Sequence, residues 1–241
     1  VPPSYYAAEG DRALTDYYAR VFDAIPPDGR VFLYHIPRNS LPIAEGTIRE
    51  LAERYGERLA GIKDSSGDIE HTARWIREFP QLLIFNGSDA TAAGAYRVGG
   101  RAVITALSNV LPVELEAIRR GAAAGEDVEA TQRFVTAVRE LVHEVPRTAA
   151  IKLLLSEASG LPRSRVRPPL AELDHAQAER LRVGFAELCA LGAPSFREAR
   201  GADAPNIGGR HRASVDRTYD KDLQISDKIK LFVNPETIIA T

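Results

Sequence analysis

Lys63 lies at the end of a short apolar segment, in a position where a lysine can take part in a reaction. Residues 59–63 read Leu-Ala-Gly-Ile-Lys, and a polar turn, Asp-Ser-Ser-Gly, follows them directly. Because an unpaired ammonium is costly to bury, a lysine at the mouth of a buried strand either extends to solvent or is held there for chemistry. A neutral lysine amine attacks carbonyl carbons and forms a Schiff base. The segment therefore makes Lys63 a candidate imine-forming nucleophile.

Tyr34 is the candidate partner of this lysine. Side chains alternate along a barrel strand, so Gly61, Lys63 and Ser65 share one side, and Gly61 leaves room below the lysine. Tyr34 lies at the corresponding height on the preceding strand, about 4.8 Å away, where its phenol could relay protons as an imine forms and breaks. On the residues alone, a solvated lysine beside a core tyrosine is the commoner explanation of such a pattern.

Short apolar segments alternate with helical patterns in the first half of the chain. Strands are predicted at 31–36, 59–63, 82–86 and 102–106. Helices are predicted at 9–25, at 43–55, after the capping residue Asp68, from near Asp89 and after Pro112. This alternation is typical of parallel βαβ units, and no glycine-rich phosphate-binding turn follows a strand. We therefore expect an α/β fold, the C-terminal half of a (β/α)8 TIM barrel with about four parallel strands.

The pattern changes after the last predicted strand. Helices are predicted in direct succession at 126–143, 147–158 and 174–191. We expect a partial barrel domain over 1–123, a C-terminal helical cap over 124–193 and a tail over 194–241 that is loosely ordered or foreign to the domain. The chain contains no methionine and opens on Val-Pro-Pro, which resembles the end of a strand. We therefore also expect an N-terminal truncation.

Composition narrows the class of protein. The 241 residues carry a net charge of −2 and are 44% hydrophobic, without a basic cluster or a long apolar run. These features argue against a nucleic-acid partner and against a membrane span. Cys189 is the single cysteine, which fits a reducing compartment such as the cytoplasm, and we interpret it as a structural residue.

Six motifs, in order, resemble those of the dihydrodipicolinate synthase / N-acetylneuraminate lyase family of class I pyruvate-dependent aldolases. The motifs are Val1-Pro2-Pro3-Ser4-Tyr5-Tyr6, Leu33-Tyr34-His35-Ile36-Pro37, Gly61-Ile62-Lys63-Asp64-Ser65-Ser66-Gly67, Asn86-Gly87-Ser88-Asp89, Gly99-Gly100-Arg101-Ala102-Val103-Ile104-Thr105 with Asn109, and Val166-Arg167-Pro168-Pro169-Leu170. The resemblance extends from Val1 to about Pro194. It is specific for the family and much less so for the substrate.

The resemblance implies roles for particular residues. Lys63 would be the Schiff-base lysine that condenses with pyruvate or another 2-oxo acid, and Tyr34 the tyrosine that shuttles protons beside the substrate carboxylate. The residues implied to bind substrate are Tyr5, which in some members reaches a neighbouring subunit's site, and Gly87, Ile104 and Ser65. Ser65 is equally well explained as a turn former. The family needs no metal or other cofactor, and the full-length enzyme is expected to be a homo-oligomer.

Two departures from the family pattern bear on the substrate. Dihydrodipicolinate synthases carry an arginine where this chain has Asn39, and Arg38 comes one residue early. The departure favours an aldolase or dehydratase acting on 2-keto-3-deoxy sugar acids over 4-hydroxy-tetrahydrodipicolinate synthase of lysine biosynthesis. The first half-barrel, with the hydroxyl pair that grips the pyruvate carboxylate, is also absent. The sequence is therefore also compatible with an inactive truncated fragment and, with less support, with a sugar-acid-binding regulatory protein.

Histidines and acidic residues give no metal motif in the sequence. The five histidines, His35, His71, His143, His175 and His211, do not follow a metal-ligand spacing. By strand alternation His35 and Asp64 face the helix layer, away from the predicted site. We therefore expect structural roles for both.

Overall fold

Four parallel strands form one sheet in the order in which they occur in the chain. The structure is a computed structural model that describes residues 1–4 and 10–191. The strands are β1 (Val31–His35), β2 (Leu59–Asp64), β3 (Leu83–Asn86) and β4 (Ala102–Val103). Sequential order with parallel pairing requires a crossover between each pair of strands, and helices make those crossovers. The predicted parallel α/β sheet is confirmed.

Helices cover one face of this sheet, and further helices follow the last strand in the chain. They are α1 (Asp11–Ala24), α2 (Glu45–Tyr55), α3 (Ile69–Glu78), α4 (Ala92–Arg97), α5 (Pro112–Ala124), α6 (Glu129–His143), α7 (Arg147–Ser159) and α8 (His175–Leu191). Asp68 caps α3 as predicted, because its carboxylate accepts hydrogen bonds from the amides of Glu70 and His71. None of the helices in the described part of the chain is long and apolar enough to cross a membrane.

The last strand is shorter than predicted. The sequence indicated a strand over 102–106, but β4 contains two residues, Ala102 and Val103. The amide of Ile104 still donates to the carbonyl oxygen of Asn86 over 2.9 Å, and then a short 3₁₀ turn begins at Leu107. The polar residue Thr105 bonds Ser108 over 2.8 Å, so the chain leaves the sheet one residue after its last ladder bond.

Two apolar cores hold these layers. The first packs α1, α2 and α3 on one face of the sheet, with Phe22, Ile62 and Trp75 each fully buried. The second lies among α4–α8 and includes Ile118 and Leu154, both fully buried. Truncating residues of this kind to alanine costs about 2–5 kcal/mol of unfolding free energy. The sheet core therefore fixes the strands, and the helical core fixes the elements that follow them.

Two predictions fall outside the described residues. Tyr5, predicted to bind substrate, is one, and the tail over 194–241 is the other.

Candidate active site

The strand register brings Lys63 and Tyr34 together. The two residues are paired across β1 and β2, as the alternation of side chains predicted. The lysine Nζ lies 4.0 Å from the centroid of the tyrosine ring, a cation–π contact for a charged amine. Neither side chain is fully buried, so a ligand can reach both. An amine and a phenol in contact at the carboxyl end of parallel strands can carry out carbonyl chemistry.

A cavity of about 470 Å³ opens above this pair. Its lining includes Tyr34, Lys63, Ser65, Gly87 and Ile104, which are the predicted site residues within the described chain. The side chain of Ile104 is 47% exposed, although its amide is bound to β3. The structure therefore brings all five residues to one place, around a volume within the range of small-molecule sites.

Gly87 and Ser65 are in close contact at one wall of the cavity. A Cβ atom on Gly87 would lie 1.8 Å from Ser65 Oγ, so only glycine fits beside this serine. The Gly87 amide donates to the carbonyl oxygen of Asp64 over 2.7 Å and is therefore already used. The Ser65 hydroxyl is buried and has no hydrogen-bond partner among residues 1–4 and 10–191. An unpaired buried hydroxyl of this kind lowers the stability of the fold.

Phe32 fills the space beneath the lysine that the sequence left open. A Cβ on Gly61 would lie 2.8 Å from the Phe32 ring and 2.2 Å from the carbonyl oxygen of Leu83. The same ring packs edge-on against Phe85 at 5.5 Å between centroids. The room that Gly61 leaves below the lysine is therefore taken up by the Phe32 ring and the Leu83 carbonyl.

Asp89 is a site residue to which the sequence analysis gave no role. It follows β3, lines the cavity and is only 7% exposed. Its Oδ1 has no hydrogen-bond partner in the part of the chain that the structure describes. Burial raises the pKa of this carboxyl, and interactions with Thr105 and Arg139 offset only part of that rise. The Asn86-Gly87-Ser88-Asp89 motif contained the residue, but nothing in the sequence showed that its carboxyl would be buried.

Three arginines give the rim of the cavity a positive charge. Arg38 comes from the loop after β1, Arg139 from α6 and Arg147 from α7. None of them forms an ion pair with a carboxylate of the described residues. His143 also lines the rim, and burial together with these three arginines lowers its pKa. Such a rim attracts anionic groups.

His35 and Asp64 face the helix layer, as strand alternation predicted. Both are buried, and there they meet His71 of α3. The histidine spacing in the sequence gave no sign of this cluster, because its members come from three separate elements.

Comparison with known proteins places the chain in a family. The sequence model of the "Dihydrodipicolinate synthetase family" matches residues 1–187. An "Uncharacterized DapA-like lyase" of Chloroflexus aurantiacus is 37% identical over 191 residues, covering 79% of this chain and 64% of the relative. The "2-dehydro-3-deoxy-D-gluconate/2-dehydro-3-deoxy-phosphogluconate aldolase" of Thermoproteus tenax is 28% identical over 192 residues, covering 78% and 60%.

Solved structures show the same fold. The crystal structure titled KD(P)GA from T. tenax superposes with a TM-score of 0.71 at 26% identity, covering 79% of this chain and 66% of the other. Dihydrodipicolinate synthase from Agrobacterium tumefaciens gives 0.68 at 28% identity, covering 78% and 64%. The predicted fold class, part of a TIM barrel, is confirmed. The chain spans less than two thirds of the length of the relatives that it matches, and it belongs to the dihydrodipicolinate synthetase family of lyases and aldolases.

Proposed function

We propose that the protein is a class I aldolase that forms a Schiff base between Lys63 and a pyruvate-type 2-oxo acid. The observation that carries the proposal is the contact of Lys63 Nζ with the Tyr34 ring at the floor of an open cavity. An imine-forming lysine needs space for a carbonyl substrate and a proton relay beside it, and the open cavity and the Tyr34 phenol support both roles.

The chemistry follows from these two groups. The neutral Lys63 amine attacks the keto carbon, and the carbinolamine loses water to give an iminium ion, with Tyr34 relaying the protons. In the cleavage direction, the hydroxyl at C4 loses its proton, the C3–C4 bond breaks and an aldehyde leaves. The electron pair of that bond moves into the iminium, which becomes an enamine. Protonation at C3 and hydrolysis then release pyruvate and the free lysine.

The cavity lining supports a substrate class. We propose a 2-keto-3-deoxy sugar acid with an anionic group at its far end, because Arg38, Arg139 and Arg147 surround the rim. Relatives include an aldolase named for both the free and the phosphorylated form of such an acid.

Borohydride trapping tests the imine step. Incubation with pyruvate and borohydride should add the mass of one reduced pyruvate to the wild-type protein, located on Lys63 by peptide mapping. Lys63→Ala should abolish the adduct. Lys152→Ala is the matched control and should retain it, because that side chain bonds the carbonyl oxygen of Arg165. A wild-type protein without adduct contradicts the proposal.

Arg147→Gln tests the substrate class. The KM for a 6-phosphorylated 2-keto-3-deoxy acid should rise about tenfold, since losing a charge-assisted hydrogen bond costs on the order of 1.5–3 kcal/mol. The unphosphorylated acid should be much less affected, and kcat should change little. Arg163→Gln is the control, because Arg163 pairs with Glu172 and is not part of the cavity lining. Equal loss for both substrates would argue against an anion at the rim.

One specific observation supports a synthase reaction as the alternative function. Arg38 reaches the cavity lining although it lies one position before the arginine of dihydrodipicolinate synthases. It could therefore bind the carboxylate of an aldehyde substrate. Condensation of pyruvate with aspartate semialdehyde, measured against cleavage of the sugar acid, distinguishes the two activities.

The proposal extends to assembly. The full-length enzyme would be a homo-oligomer in the reducing cytoplasm, as the family resemblance and the single thiol of Cys189 suggest. Light scattering on the full-length protein measures its oligomeric state.

A further inference from the structure

Behind the catalytic pair lies a buried polar cluster that the proposed chemistry does not use. The residues that follow Tyr34 and Lys63 in their strands, His35 and Asp64, point to the helix side of the sheet. There they meet His71 and Thr72 of α3, and these four residues are called the helix-side cluster. Each reacting residue is therefore a direct chain neighbour of one member of the cluster.

Asp64 connects three parts of the chain. Its side chain is fully buried, and its Oδ1 accepts a hydrogen bond from the Ser66 amide over 3.0 Å. Its Oδ2 accepts from Thr72 Oγ1 over 2.7 Å and from His71 Nδ1 over 3.0 Å. Burial alone would raise the pKa of Asp64, but these hydrogen bonds hold it below its ordinary value. The carboxylate therefore links the end of β2 to the following turn and to α3.

His35 connects β1 to the same helix. Its Nδ1 accepts a hydrogen bond from the Ile43 amide over 3.1 Å, and its ring stacks on His71 with centroids 5.1 Å apart. The Trp75 ring lies 4.8 Å from His35 and 4.2 Å from His71. The two catalytic strands are thus held against α3 by one continuous set of contacts.

A metal ion is the other explanation for two histidines and a carboxylate. The candidate ligand atoms of His35, Asp64 and His71 lie within 4.8 Å of one another. His71 Nδ1 bonds Asp64 Oδ2 over 3.0 Å, so this nitrogen is engaged in a hydrogen bond. His35 Nδ1 and Asp64 Oδ2 are moreover already engaged in hydrogen bonds. The hydrogen-bonded arrangement accounts for the cluster without an ion.

We infer that the helix-side cluster consists of positioning residues that set Lys63 against Tyr34 and fix the turn carrying Ser65 and Ser66. The inference rests on the proposed function for its catalytic consequence. The effect of the cluster on the turn does not depend on the proposed function. The Ser65 amide donates a hydrogen bond to the carbonyl oxygen of His35 over 2.8 Å, and the Ser66 amide donates one to the Asp64 carboxylate. Removing a hydrogen bond that holds the Asp64 carboxylate should therefore make the turn that lines the cavity less ordered.

Thr72 offers a matched pair of variants away from the cavity. Thr72→Val keeps the shape of the side chain and removes the hydroxyl that bonds Asp64, whereas Thr72→Ser keeps the hydroxyl. At saturating pyruvate, Thr72→Val should form the trapped imine roughly tenfold more slowly, because a 1 Å misplacement of reacting groups costs up to about 100-fold. The pyruvate concentration giving half the maximal rate should stay unchanged. Thr72→Ser should match the wild type.

Hydrogen–deuterium exchange provides a readout that does not depend on activity. Thr72→Val should speed exchange at the Ser65 and Ser66 amides, whereas Thr72→Ser and the amides of α1 should behave as in the wild type. Unchanged exchange overturns the inference even if the protein proves to have no aldolase activity. A wild type that forms no imine, with the exchange difference present, instead contradicts the proposed function alone.

If the Thr72→Val protein does not fold, a second pair of variants, at His71, tests the same inference. His71→Asn keeps a donor at the place of Nδ1, and His71→Leu removes it, so only the leucine variant should slow imine formation and speed exchange. Zinc titration of the wild type should show no stoichiometric binding. Stoichiometric binding that is lost in His71→Leu would overturn the inference in favour of a metal site.

Discussion

At the scale of one residue, Asp89 shows how a buried carboxyl in the wall of the candidate site lowers stability. Its carboxyl is buried at the cavity wall, one oxygen has no partner among the described residues, and burial raises its pKa. A raised carboxyl pKa means that the native state binds more protons than the unfolded state above the ordinary value of 3.8. The free energy of unfolding therefore decreases as pH rises through that range. At neutral pH the ionised Asp89 carboxylate therefore lowers the free energy of unfolding.

Asp89→Asn should consequently make the protein more stable at neutral pH. At neutral pH its melting temperature should exceed that of the wild type, and the difference should vanish below about pH 3.8, where the wild-type carboxyl is protonated. Imine formation with pyruvate should stay unchanged, because Asp89 Oδ1 is enclosed by the protein. Thermal melts across pH, together with borohydride trapping, check the prediction. A variant that is less stable at neutral pH would show that the charge is compensated.

At the scale of elements, β2, β3 and their following turns define one wall of the cavity. Gly87 follows β3 and Ser65 follows β2, and their contact leaves no room for a side chain. The wall therefore depends on a close approach of two turns, and glycine is needed because of its size.

Gly87→Ala should push the two turns apart. The added Cβ meets Ser65 Oγ at 1.8 Å and Ser65 Cβ at 2.9 Å, so the backbone must shift, at a cost of about 1–3 kcal/mol of unfolding free energy. Chemical denaturation measures that cost, and borohydride trapping should show a slower imine. Gly46→Ala in α2 has open space around it and should be neutral or slightly stabilising. Similar losses in both variants would argue against a special contact at Gly87.

The sequence predicted the elements better than it predicted what those elements place together. Lys63 and Tyr34 could be paired from strand alternation, because the period of a strand is fixed. The contributions of Arg139 and Arg147 to the cavity could not be predicted, because α6 and α7 reach the cavity through tertiary packing that no local pattern encodes. The end of β4 was also missed, since Thr105 fits a strand by propensity but bonds Ser108 instead.

At the scale of the whole molecule, the stability of the fold decreases in acid because His35 is buried as a neutral imidazole and Asp64 as an ionised carboxylate. Burial lowers the pKa of His35, so the native state disfavours its protonation relative to the unfolded state. This contribution to stability is complete above the ordinary value of 6.5 and is lost as pH falls through the lower native value. Asp64, whose pKa is also lowered, adds a further loss when pH falls below 3.8.

His35→Asn should flatten the first part of this dependence. The asparagine oxygen can accept the hydrogen bond from the Ile43 amide, but it does not titrate. The melting temperature of the wild type should fall between neutral pH and about pH 5, and that of the variant should fall clearly less. His175→Asn, at an exposed position, is the control and should follow the wild type. Identical slopes in all three proteins would contradict the assignment to His35.

The two cores approach the cavity from different sides. Lys63 and Tyr34 stand on strands held by the sheet core, and Arg139 and Arg147 stand on helices that belong to the helical core. Under the proposed function, a change confined to α6 and α7 should therefore alter which substrate ends are accepted without touching Lys63 and Tyr34. Reactivity and substrate choice can accordingly evolve, or be engineered, as two separate traits of one chain.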